Sequence, residues 1–124
     1  MEVLDVIYSY SRRQAVADGV LIDVSETARE AGIRFHTAMT AAAWAEYVAV
    51  PPGVHCQDEA GRLWDVLWMF RHAAKSSDQS EIRFRLHVRN DTRPGDPPLV
   101  TLKAVIGPGD DPAPVVTIML PNED

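Results

Sequence analysis

The hydrophobic period of this chain changes once, near residue 78, and that change limits its folds more than any other feature. Beyond it, Ile82, Phe84, Leu86 and Val88 alternate with Arg83, Arg85, His87 and Arg89. A period of two this clean predicts a strand with one face in a core and the other in water. Val100, Leu102, Ala104 and Ile106 alternate next, followed by Val116, Ile118 and Leu120. Pro94-Gly95 suits a type II turn before the second strand, and Gly107 to Pro112 supplies the turn before the third. Three strands connected this way predict an antiparallel meander, which needs a helix to cover its apolar face.

Before residue 78 the spacing is helical. Ser11 reads as the N-cap of a short helix through Asp18, with Gly19 ending it. Val20-Leu21-Ile22 is a brief apolar run, a strand or a buried crossing. Ser25 opens a second short helix that Gly32 closes. A third, alanine-rich helix starts at Thr37 or Thr40, passes Trp44 and Tyr47, and stops at Pro51-Pro52-Gly53. Asp58 caps the longest helix, Glu59 to Ala74. Leu63, Leu67, Phe70 and Ala74 define its apolar stripe, and Trp64 and Trp68 widen it until it asks for cover on more than one side. The expected architecture is α+β: short N-terminal helices and one long central helix packed on a three-stranded antiparallel sheet. It forms one domain over residues 1–124, with 1–77 mainly helical and 78–124 antiparallel strands.

Composition excludes several functions. The 124 residues hold 12 Lys+Arg against 18 Asp+Glu, a net charge of −6, which argues against direct binding to DNA. The longest uncharged apolar stretch, Phe35 to Ala45, is too short to span a bilayer, so no membrane role is expected. The N-terminus places acids early and shows no signal-peptide pattern. Cys56 is the single cysteine and cannot form an internal disulfide, which fits a cytoplasmic protein.

The chemistry-bearing residues are sparse. His55-Cys56 is the one adjacent pair of soft ligands, without the spaced donors a metal requires, so no metal and no cofactor are expected. No nucleophile–base–orienter set is recognisable, so no enzyme is expected. The segment 25–48 has the outline of a helix-turn-helix, which makes a DNA-binding regulator the alternative function. Its second helix, however, offers alanine, threonine, methionine and tryptophan where a groove reader needs Arg, Lys, Asn or Gln. Two charged sets remain. Asp18, Asp23, Glu26 and Glu30 form an acidic set, with Arg29 and Arg34 close enough to compensate it. Arg83, Arg85 and Arg89, with Lys103 on the neighbouring strand, form a basic stripe that also suits a solvated strand face.

The segment YSRRQAVADGVLIDVSETAREAGI resembles a family of small uncharacterised proteins encoded on bacterial plasmids, integrated elements and phages. The matching residues run from Tyr10, Ser11 and Gln14 through Asp18-Gly19-Val20-Leu21 to Asp23-Val24-Ser25, and the likeness extends more loosely over residues 8–75. That resemblance implies a context in which small acidic proteins disarm host restriction or CRISPR defence. The expected function is therefore a non-enzymatic interaction protein, an acidic inhibitor of a host nucleic-acid-binding defence complex. Asp18, Asp23, Glu26 and Glu30 are its expected contacts, and Arg83, Arg85, Arg89 and Lys103 the alternative face.

Overall fold

A computed structural model of the protein describes residues 11–55 and 57–123. Its elements run α1 (Arg12–Ala17), β1 (Leu21–Asp23), α2 (Ser25–Glu30), β2 (His36–Thr40), α3 (Ala41–Tyr47), α4 (Glu59–Lys75), β3 (Glu81–His87), β4 (Leu99–Pro108) and β5 (Pro114–Met119).

The sheet corrects the expected one. It has five strands in the order β1-β2-β5-β4-β3, and it is mixed rather than antiparallel. The meander is present, since β3 pairs β4 and β4 pairs β5, both antiparallel. But β5 also pairs in parallel with β2, setting Thr37 beside Val116 and Met39 beside Ile118. β1 then adds antiparallel to β2. Both extra strands come from the mainly helical half: β1 falls on the apolar run at Leu21-Ile22, one reading of which is a strand, and β2 on residues that read as helical. The alanines around β2 carry a helical signal, yet Thr37 Oγ1 bonds to the Phe35 carbonyl and Thr40 stops the strand by capping the next helix. Its hydroxyl accepts the Ala43 N–H at 3.1 Å, so the third helix begins at Ala41.

One face of the sheet holds the core. Alternation aims Met39, Val116, Ile118, Leu102, Ala104, Ile82, Phe84 and Leu86 toward it, and all are buried. α4 lies across this face with Leu63, Val66, Leu67 and Phe70 inward, and Phe70 meets Phe84 edge to face at 5.8 Å. Asp58 caps the helix as expected, accepting the Gly61 N–H at 2.6 Å. The tryptophans depart from expectation. Trp64 and Trp68 keep 37% and 38% of their surface exposed, so the buried stripe is narrower than the sequence suggests. The sheet covers one side of α4, and α2 and the end of α3 touch it beside the sheet.

The small helices are fastened by polar side chains. Ser11 Oγ caps α1, accepting the Gln14 N–H at 3.0 Å. α2 lacks a side-chain cap from the residue preceding it; instead Asp23 accepts the Ser25 N–H at 2.9 Å. Gly32 follows with φ of +93°, the left-handed conformation that lets the chain leave the helix.

Candidate functional site

The two charged sets do not survive as the sequence drew them. In the acidic set, Glu26 and Glu30 sit one turn apart on the exposed side of α2, whose Ala28 is buried. Neither makes an ion pair among the described residues, and neither Arg29 nor Arg34 closes on them. Asp23 belongs elsewhere. It stands opposite Ala38 on the sheet face away from the core, bonded to Ser25. Asp18 ends α1 as its C-cap. The four acids thus divide among the exposed side of α2, a polar cleft and the end of α1.

The basic stripe is also divided. Arg83 and Arg85 stay exposed on the outer face of β3. Arg89 turns back into the β3–β4 loop, where it donates to the Arg93 carbonyl at 2.5 Å and to the Gly95 carbonyl. Lys103 stands directly opposite Arg83 but is buried, donating to the Glu123 carbonyl. Glu81 lies 4.0 Å from Arg83 and 3.9 Å from Lys103, which makes only long, half-exposed ion pairs. Arg89 and Lys103 are therefore structural, and two of the four cations remain available.

The cleft against α1, of about 450 Å³, gathers Arg12, Asp23, Ser25, His36 and Asp110. Arg12 crosses the outer sheet face, donating to Thr117 Oγ1 and to the Val116 carbonyl, each at 2.6 Å. The backbone N–H groups of Arg12 and Arg13 bind the Asp110 carboxylate at 2.7 and 3.1 Å. Those two bonds hold the Asp110 carboxyl below the usual carboxylate range. Partial burial would raise Asp23, but the bonds from Ser25, with His36 and Arg12 close by, outweigh it and keep its carboxyl low. Burial likewise lowers Arg12, against the pull of Asp23 and Asp110.

A serine, a histidine and an aspartate in one cleft invite comparison with a nucleophile relay. The order is wrong for one. A relay places the imidazole between hydroxyl and carboxylate. Here Asp23 bonds to Ser25 itself, while Ser25 Oγ accepts the Thr37 N–H at 2.9 Å and only approaches His36 Nδ1 at 3.4 Å. This hydroxyl pins α2 to β2.

The segment expected to resemble a helix-turn-helix is helix–strand–helix. β2 runs through its middle between β1 and β5, so a strand rather than the second helix follows the turn after Gly32. Ala28, Ala31 and Ala43 pack into the core instead. Of the His55-Cys56 pair, His55 is exposed, and Cys56 lies outside the described residues. Among the described residues, no three metal-ligating side chains converge. No described helix is long and apolar enough to cross a membrane.

Two features were not anticipated. Arg62, on the sheet side of α4, is buried and bonds to Val48, Arg89 and Asn90. On the opposite side of the same helix, Trp64 and Trp68 stack at 5.8 Å with 14° between their planes, and Trp68 meets the His72 ring edge to face at 4.9 Å. Arg71 Cζ sits 5.5 Å from the Trp68 ring centre.

Over residues 1–124 the chain matches the family described as Family of unknown function (DUF6573). It belongs to that family. No curated protein and no solved structure matches this DUF6573 chain.

Four cations of this DUF6573 protein share one arrangement. Arg12, Arg62, Arg89 and Lys103 all spend donors on main-chain carbonyls. Arg62 had a legible signal, since it stands four residues before the buried Val66 and so shares the inward side of the helix. The tryptophan ladder had the spacing of a core stripe, and spacing does not say which side is covered.

Proposed function

We propose that this DUF6573 protein is a non-enzymatic interaction protein of a mobile genetic element. Its acidic exterior occupies a basic, nucleic-acid-binding surface on a host CRISPR or restriction complex. The observation that carries this proposal is the disposition of charge. Four of the 12 cations are held by backbone carbonyls in a chain of net charge −6, and Glu26 and Glu30 remain exposed with no ion pair among the described residues. Carboxylates displayed this way satisfy the Arg and Lys donors that otherwise hold phosphates. The context comes from the likeness of residues 8–75 to proteins of plasmids, integrated elements and phages. Asp18 and Asp23 are the flanking contacts, and duplex DNA is not a partner.

The test is a plasmid-protection assay in cells carrying such a defence system, beside binding to the isolated complex at graded salt. Protection should vanish in Glu26→Lys with Glu30→Lys while circular dichroism is unchanged, and binding should weaken steeply with salt. Loss of protection in Arg83→Glu with Arg85→Glu alone would move the contact to the strand face. Binding of the free protein to duplex DNA near physiological salt would overturn the proposal.

A further inference from the structure

The outward side of α4 is poorly explained as a solvated helix face. Trp68 lies at its centre, and the helical repeat sets Gly61, Trp64, Asp65, His72 and Lys75 around it. Its indoles are stacked and ordered by Arg71 and His72, yet both stay more than a third exposed, as does Met69 at 38%. Tryptophan is among the residues most enriched at desolvated interface centres. Polar groups are also segregated along the outward side of the helix, Arg62 being turned inward. The carboxylates of Asp58, Glu59 and Asp65 occupy the N-terminal half, and Arg71, Lys75 and the imidazole of His72 the C-terminal half. The helix dipole favours such a division only within the terminal turns, and Asp65 and Arg71 lie between those turns.

We infer that α4 is a dimerisation helix, pairing antiparallel with α4 of a second copy of this chain across a two-fold axis at Trp68. The occupant is a second copy because this face is complementary to itself. Asp65 and His72 flank Trp68 on one side of the helix, about 4.5 Å before it and about 6 Å after it along the axis. A two-fold that reverses the helix direction preserves that side, so Asp65 of each copy faces His72 of the other. On the other side, Trp64 of each copy faces Arg71, and Arg71 already places a guanidinium over an indole within its own chain. Lys75 passes over Gly61, which has no side chain, toward Asp58, whose carboxylate lies beside that glycine. Trp68 meets Trp68 on the axis. This surface is separate from α2, so the inference stands independently of the acidic contact.

The test is sedimentation equilibrium of the full chain with three variants. Wild type should sediment as a dimer. Trp68→Ala should weaken the dimer by about 30-fold, the effect of losing a central interface tryptophan. Asp65→Arg should weaken it too, and adding His72→Glu should restore it, because the swapped charges face each other again. Circular dichroism checks the fold of each variant, whose altered side chains lie outside the core. A monomeric wild type throughout the micromolar range would overturn the inference. So would a dimer indifferent to Trp68→Ala, or a charge swap that fails to restore pairing.

Discussion

Arg62 donates its Nε hydrogen to the carbonyl of Val48 at 3.0 Å, joining the start of α4 to the end of α3. Its other two nitrogens reach the Arg89 carbonyl and Asn90 Oδ1, both at 2.6 Å. Asn90 in turn donates to the Glu46 carbonyl at 2.8 Å. One buried guanidinium thus fastens α4, the end of α3 and the segment leaving β3. Burial pulls its pKa below the ordinary arginine value, and oxygens rather than a carboxylate offset the loss of water.

Removing that guanidinium strands its acceptors. Arg62→Ala should cost about 2–4 kcal/mol in urea unfolding, the penalty of unsatisfied buried carbonyls together with lost packing. Arg62→Lys should recover only part of this, because one ammonium cannot reproduce the planar fork. Equal stability of Arg62→Ala and wild type would mean that water replaces the whole network.

Leu67 is fully buried at the centre of the helix–sheet contact, in the same core as Phe70, Phe84 and Leu86. Leu67→Ala should destabilise by about 2–5 kcal/mol. Chemical denaturation at constant m-value checks it, and a loss under about 0.5 kcal/mol would place Leu67 at the surface.

Acid should loosen α1 before it unfolds the core. Asp23 and Asp110 have carboxyls held below their ordinary values, so each favours the folded state when ionised. Their contribution is complete above the unfolded value near about 4, and is lost as pH falls through the lower folded values. Backbone amide shifts of Arg12 and Arg13 should titrate in that acid range. In Asp110→Asn this titration should disappear, and α1 amides should exchange faster at neutral pH.

Glu123 closes the far end of the sheet. Its Oε2 accepts from the Thr40 hydroxyl and from the Leu120 N–H, each at 2.7 Å, and its carbonyl receives Lys103. Glu123→Ala should cost about 1–2 kcal/mol, since a charged acceptor serves two partly buried donors. Glu123→Gln should keep the hydrogen bonds and lose less. Thermal unfolding of the two variants side by side distinguishes the geometry from the charge.

The sheet was legible wherever local pattern decides it. Ile82 to Val88 alternated without interruption, so β3 and its inward face followed directly. Gly95 has the φ of +96° that the expected turn requires. β2 was illegible because Ala38 and Ala41–Ala43 make its flanks look helical, and because its partner is remote. A strand that pairs with β5 near the other end of the chain leaves no mark in a local window. Direction was the second gap. The spacing of Trp64 and Trp68 is the same whether the neighbour is the sheet or solvent, and Leu63, Leu67 and Phe70 had already claimed the sheet. In the charged sets, side-chain type showed which residues carry charge, but not that Arg89 and Lys103 turn toward carbonyls.

The parallel pairing of His36–Met39 with Val115–Ile118 also dictates an order of events. During synthesis, β1 and β2 leave the ribosome long before the strand that must lie beside them. Until β5 arrives, one edge of β2 has no partner, and Met39 lacks the Ile118 neighbour that shields it. The meander forms through short loops, whereas closing the β2–β5 contact spans most of the chain and is correspondingly slow. β5, translated after the other four described strands, therefore completes both halves of the sheet at once. A chain stalled before β5 would present an exposed β2 edge, the kind of surface on which misassembly and proteolysis begin.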